Sequence, residues 1–240
     1  KIESNVIDES GVASQTIDSN SLWSLLDSLI ELDVKITKVP PIEKWINGEL
    51  SAKQIKQVQI DDLLGRAPIE IDNPNLLNEF NGETILVTGA AGSIGSELVK
   101  QLANFSVKKL ILIDQAESAL YDLQQDLKQN GKESFITAIV ADIRDGLRID
   151  SIFQENKPTM VFHAAAYKHV PLMEKSPYEA IKINVNGTKI LADTASRYDV
   201  KKFVFVSTDN AVNPTSVMGA TKRMAEMYIS CLQKESKTKF

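Results

Sequence analysis

Residues 83–97 read ETILVTGAAGSIGSE, and their reading decides the fold. The segment TILVT is a continuous run of strand-favouring residues stopping at Gly89, the mark of a strand buried on both faces. Beyond it, Ile94, Leu98 and Leu102 recur at every fourth residue, which predicts a helix with one buried face. Gly89, Gly92 and Gly95 stand at the handover from strand to helix, the context a dinucleotide-binding fingerprint requires. Gly89 allows the tight turn, Gly92 lets backbone approach a pyrophosphate, and Gly95 lets helix pack on strand. The first helical turn, at Ser93 and Ile94, offers free N–H groups and a positive dipole end to phosphate.

The same alternation continues along the chain. KKLILID (108–114), FITAIVAD (135–142), TMVFHAAA (159–166) and KKFVFVST (201–208) read as further buried strands. Helical patterns separate them: SALYDLQQDL with Leu120, Leu123 and Leu127 on one face, stretches near 146–155 and 177–197, and MGATKRMAEMYISCL from 218. Strict strand–helix alternation with short links predicts an α/β fold, a doubly wound parallel sheet of Rossmann type built with right-handed crossovers. KTKF at 237–240 reads as the first step of a sixth strand, so the core is expected to be cut after its fifth strand–helix unit.

Upstream the signals are weaker. Residues 1–20 are polar and are expected to be a poorly ordered segment or linker. SLWSLLDSLIELD (21–33) has mostly helical spacing, and VKITKV (34–39) reads as a strand stopped by Pro40 and Pro41. Residues 21–81 are therefore expected to be the αβ remnant of an upstream domain plus a linker, leaving 82–240 as the core.

Composition narrows the partners. A 240-residue chain with 43% hydrophobic residues can fill a core, and its net charge of -5 argues against nucleic acid. The one cysteine, Cys231, allows no internal disulfide, suits a reducing compartment, and is expected to pack as a buried thiol; no metal site is expected. No run approaches a membrane span, and the first residues lack the apolar core of a signal peptide. A soluble, cytoplasmic chain is the expectation.

Candidate chemistry gathers at the predicted carboxyl ends of the strands, where open parallel sheets bind ligands. Asp114 closes the second strand 19 residues past Gly95, the place of a carboxylate that accepts both ribose hydroxyls. It would repel a 2′-phosphate, and Gln115 follows rather than a basic residue, so NAD is favoured over NADP. Asp142 and Ile143 could border the adenine, and Ala164, Ala165 and Ala166 leave room for a cofactor against backbone. His163 lies inside an apolar run and is expected to be a satisfied core histidine. Ser207, Thr208, Asp209 and Asn210 end the fifth strand, and Lys222 follows Met218 by one helical turn. The hydroxyls, the carboxylate and the ammonium are expected to converge beside the nicotinamide, with a surface lysine as the plainer alternative.

TGAAGSIGSE, HAAAYKHVPLMEKSP, NVNGT and VSTDNAVNPTSVMGATKRMAE closely resemble the nucleotide-sugar 4,6-dehydratases of bacterial capsule, O-antigen and flagellin-glycan synthesis, members of the extended short-chain dehydrogenase/reductases. DDLLGRAPIEID (61–72) resembles the large membrane-anchored branch of that family. The resemblance implies membrane helices before Lys1, a sugar-binding lobe after Phe240, and a homo-oligomer. It implies loss of water from a UDP-linked N-acetylhexosamine: hydride leaves C4 for NAD, a base removes the C5 proton, water leaves C6, and hydride returns to C6. By the same resemblance Thr208 bonds the 4-oxygen, Asp209 helps expel the 6-hydroxyl, and Lys222 holds the nicotinamide ribose. Lys168 and Asn184 fall on its substrate side. Two positions depart from the family: Met218 replaces the usual tyrosine, and Asn210 replaces the Lys or Glu base of many relatives. Neither a thioether nor an amide can take a proton at useful pH. A nucleotide-sugar 4-epimerase and a catalytically silent nucleotide-binding module remain as alternatives.

Overall fold

The computed structural model describes residues 9–12, 35–38, 56–57 and 78–240. The chain divides into two units, Lys1–Asp72 and Asn73–Phe240, so the second begins nine residues before the boundary expected at 82. In the first unit β1 (Glu9–Val12) runs parallel to β2 (Lys35–Lys38), which pairs antiparallel with β3 (Lys56–Gln57). β2 falls within the expected VKITKV strand. β1 lies inside the stretch expected to be poorly ordered: pairing with β2 satisfies the backbone of a segment whose polar side chains gave no periodic signal. The helix expected over 21–33 and the DDLLGRAPIEID segment lie outside the described residues.

The second unit is a five-stranded parallel sheet in the order β6-β5-β4-β7-β8. Its strands are β4 (Thr84–Thr88), β5 (Lys109–Asp114), β6 (Ile136–Val140), β7 (Met160–His163) and β8 (Lys202–Phe205). Around them run α1 (Ser93–Leu102), α2 (Glu117–Gln129), α3 (Gly146–Asn156), α4 (Val170–Lys175) and α5 (Pro177–Ala180). A π-helical stretch, Ile181–Gly187, leads into α6 (Thr188–Arg197), and α7 (Val217–Leu232) follows β8. The short α4 was not legible as a separate element, because six residues are too few to show a helical period.

Alternation along the strands shows why both faces are covered. Ile85 and Val87 of β4, with Leu110 and Leu112 of β5, pack against Val99 and Leu102 of α1 and the three leucines of α2. Leu86, Ile111 and Ile113 point the other way, onto Ile149, Ile152 and Phe153 of α3 and Leu191, Ala192 and Ala195 of α6. Each buried Leu or Ile contributes about 1.5–3 kcal/mol, so this double-sided burial accounts for the run of apolar strands.

Two local expectations are corrected. The buried face of α1 is Gly95, Val99 and Leu102, and Ile94 is 56% exposed, because the side-chain-free Gly95 is what rests on the loop below. Cys231 is exposed: the buried stripe of α7 runs through Ala225 and Ile229, and position 231 points away from it. The stretch near 177–197 is helical throughout but interrupted by the π turn. The expected last strand begins as foreseen: Phe203 N–H donates to the Lys239 carbonyl at 2.8 Å, parallel to β8.

Candidate active site

β4 lies between β5 and β7: the chain runs outward through β5 to β6 on one side and then crosses back to β7 and β8 on the other, so a crevice opens at the carboxyl end of β4. Gly89 turns the chain there with φ +66°, and a Cβ on it would lie 2.6 Å from the Ala165 nitrogen. A Cβ on Gly95 would lie 1.9 Å from the Gly89 carbonyl oxygen. α1 can therefore start directly over the turn. No side chain caps α1 at Gly92, which leaves its first-turn amides for an anion.

A cavity of about 230 Å³ fills the crevice. Of the residues expected to hold a cofactor, Gly89, Gly92, Asp114, Asp142, Ile143, Ala164 and Ala165 line it. Ser93, Ile94, Gly95 and Lys222 do not. Asp114 accepts the Ala91 N–H on one oxygen and the Ala116 N–H on the other, both at 2.9 Å, which fixes the carboxylate at the rim. Each oxygen keeps a free lone pair, so a ribose diol fits. Small walls, open amides and a fixed carboxylate suit a dinucleotide such as NAD.

Sequence reasoning missed Tyr167 and Ile183, which also line the cavity, and Arg144 beside it. Arg144 binds Asp142 through Nε and Nη2, the latter at 2.6 Å, and reaches Glu179 at 3.1 Å. The Arg144 hydrogen bonds hold the Asp142 carboxyl below the usual carboxylate range against the opposing effect of its partial burial. The DIRD phrase could have suggested the first pair; Glu179, 35 residues on, could not.

His163 is fully buried and satisfied, as expected. The Thr188 hydroxyl donates to the Asn184 carbonyl at 2.7 Å, so it accepts from His163 Nε2–H at 2.8 Å. Nδ1 is then the acceptor of the Thr88 hydroxyl at 2.7 Å. Burial, with the nearby Lys222 charge, pushes the His163 pKa down to about 3. The folded ring is neutral, whereas the unfolded chain takes up a proton below about pH 6.5. Stability should therefore fall as pH drops from about 6.5 towards 3, by about 1.4 kcal/mol per pH unit. Carboxylates titrate lower, so the slope between about pH 6.5 and 5 is assigned to His163. Denaturant titrations across that window should show the slope in the parent and its loss in His163→Gln.

Asn184, expected on the substrate side, is held inside the chain. It is buried, and its amide is spent on the chain itself: Oδ1 accepts the Tyr167 N–H, while Nδ2 donates to the Tyr167 carbonyl and to Thr221 Oγ1. It clamps the crevice wall to α7. Lys168 is exposed and donates to Ser93 Oγ at 3.0 Å, beside the open end of α1.

The other half of the site lies where β8 meets α7. Thr208 caps the single turn Asp209–Ala211, its hydroxyl donating to Asp209 Oδ1 at 2.9 Å. Asp209 and Asn210 face solvent. Lys222 is no surface lysine. It is 5% exposed, its ammonium lies 3.9 Å from the Phe205 ring centroid, and it donates to the Val206 carbonyl at 2.6 Å. Burial pushes its pKa down to about 8, with Glu226 pulling it back. Met218 is buried against Met173 and Ala180, with Tyr167 and Val170 at the edge of the cluster. Among the described residues no cluster suits a metal ion, and no helix is long and apolar enough to cross a membrane.

Residues 85–240 match the family model described as polysaccharide biosynthesis protein. The chain is 47% identical over 209 residues to the capsular polysaccharide biosynthesis protein CapD of Staphylococcus aureus, covering 86% of this chain and 35% of CapD. It is 37% identical over 144 residues to a UDP-N-acetylglucosamine 4,6-dehydratase (inverting) of Campylobacter jejuni, covering 60% of this chain and 41% of that enzyme. The fold matches the crystal structure of the Thermus thermophilus UDP-glucose 4-epimerase complex with NAD, with a TM-score of 0.56 and 26% identity, covering 65% of this chain and 52% of that one. The chain thus spans a third to a half of these proteins' lengths. Matched over residues 85–240, the chain belongs to the polysaccharide biosynthesis protein family.

Proposed function

We propose that this chain is the NAD-binding catalytic core of a 4,6-dehydratase acting on a UDP-linked N-acetylhexosamine, for cell-surface polysaccharide synthesis. The observation that carries the reading is the Thr208–Asp209 pair just beyond β8, two residues after the Val206 carbonyl that holds the buried Lys222 ammonium. Bound in the crevice, NAD would supply a transient hydride acceptor, and the sugar would leave with no net redox change. Thr208 donates a hydrogen bond to the sugar 4-oxygen. The Lys222 charge favours the oxyanion character that develops there. Asp209 gives its proton to the departing 6-hydroxyl, which leaves as water, while the 4-hydroxyl and C5 protons pass to solvent at this exposed turn and a solvent proton returns to C5 as hydride returns to C6. Met218 transfers no proton. In the same proposal the full-length protein is a membrane-anchored homo-oligomer that works at the cytoplasmic face.

A 4-epimerase is the second reading. Asn210 favours it, since an amide cannot remove the C5 proton and epimerisation at C4 needs no such step. The buried Met218 supports a third reading, a silent nucleotide-binding module. Incubation of the full-length protein with UDP-N-acetylglucosamine, followed by mass spectrometry and proton NMR of the sugar, separates the three. Loss of one water is expected. An isomer of unchanged mass supports the epimerase, and unaltered substrate the silent module.

NAD is proposed over NADP on account of Asp114. Calorimetry on the chain should show NADP binding at least about tenfold more weakly, from repulsion between its 2′-phosphate and the carboxylate. Equal affinities would remove Asp114 from the role.

A further inference from the structure

Two successive residues at the end of β8 are bonded to two successive turns of α7. The Val206 carbonyl accepts from Lys222 at 2.6 Å, and the Ser207 hydroxyl donates to Glu226 Oε1 at 2.5 Å. The second oxygen of Glu226 takes Arg223 at 3.1 Å. These two rungs differ in kind. The Lys222 ammonium carries three donors, so it can keep the Val206 carbonyl and, in the NAD-binding reading, also serve the nicotinamide ribose. The Ser207–Glu226 rung has no such second duty: it ties strand end to helix, and Thr208 and Asp209 follow Ser207 directly.

We propose that Glu226 is a positioning residue of this site: through Ser207 it ties the end of β8 to α7, which carries Lys222, and so holds that ammonium where the cofactor can engage it. The proposal rests on the NAD-binding reading. A short hydrogen bond from a hydroxyl to a carboxylate is the strong, charge-assisted kind. The Arg223 pair is half-exposed and adds little beyond orienting the carboxylate. Glu226 also supplies charge. Among the described residues, the titratable groups that face the Lys222 ammonium are Glu226 on its own helix and the neutral His163 ring on β7. Tether and charge can be separated, because the amide oxygen of a glutamine still accepts from Ser207 but carries no charge.

The test uses the chain with Glu226→Ala, Glu226→Gln and Ser207→Ala. Three quantities are read: NAD affinity by calorimetry, thermal unfolding, and the pH midpoint of Lys222 from competitive acetylation with acetic anhydride followed by mass spectrometry. Glu226→Ala should weaken NAD binding about tenfold, the equivalent of one such bond. Ser207→Ala should weaken it to a similar extent with the Lys222 midpoint unmoved. Glu226→Gln should bind within about twofold of the parent although its Lys222 midpoint falls as it does in Glu226→Ala. If the glutamine variant binds as poorly as the alanine variant, Glu226 acts by charge alone and the positioning role is refuted. Parental affinity in Ser207→Ala refutes it too, and does so even if Glu226→Ala fails to fold. A parent chain that does not bind NAD overturns the functional reading instead, an outcome separate from any difference among variants.

Discussion

Gly95→Ala should abolish dinucleotide binding and cost about 3 kcal/mol or more of stability, at the level of severe overpacking. The added methyl carbon would sit 1.9 Å from the Gly89 carbonyl oxygen, and that atom is backbone, so no rotamer change relieves the clash. Either α1 lifts off the turn or the turn opens. In both cases the first-turn amides of α1 and the Asp114 carboxylate, tied to Ala91, lose their common register. Gly146→Ala is the control: its Cβ would meet only Ile190 at 3.7 Å, an ordinary contact, and should shift stability by less than about 1 kcal/mol. Calorimetry with NAD and thermal unfolding read both variants. Undiminished NAD binding by Gly95→Ala would mean that the dinucleotide does not lie over this turn.

The second large effect separates two neighbours on α7. In the full-length protein, Lys222→Ala should lower turnover by about a thousandfold, the upper range for removal of one group that stabilises a developing oxyanion. Met218→Leu should stay within about threefold, because it is a volume-conserving swap in a buried apolar cluster. The pH profile gives a further mark. With the Lys222 pKa near 8, its ammonium is lost as pH rises through that value, so turnover should decline on the alkaline side from about pH 8. Kinetics of the two variants between pH 6 and 9 test this. A folded Met218→Leu enzyme that is inactive would give the thioether a role the proposed chemistry lacks.

How much of this was legible beforehand depends on the reach of each signal. Alternation in β4 and β5, the glycine spacing, and the distance from Gly95 to Asp114 are short-range patterns set by strand and helix geometry. They fixed the sheet and most of the cofactor crevice. Facing directions were less secure. α1 was expected to bury Ile94, and α7 to bury Cys231, but each helix turns according to what it rests on. Asn184 was read towards the substrate from its motif, and its amide was taken up by Tyr167 and Thr221.

The amino-acid order by itself determined a parallel sheet with a dinucleotide turn at the end of its first strand, because hydrophobic period and glycine placement are local properties of the chain. It also determined that Met218 and Asn210 cannot move protons, since that follows from their functional groups alone. Only the tertiary structure decided that Lys222 is buried over Phe205, that Glu226 takes Ser207, and that Arg144 joins Asp142 to Glu179. Ser207 and Glu226 are 19 residues apart, and Arg144 and Glu179 are 35 apart. Such separations leave no periodic trace in a sequence. The pairs meet only because right-handed crossovers return each helix to the strand ends, and packing against the two faces of the sheet then fixes which side chains touch.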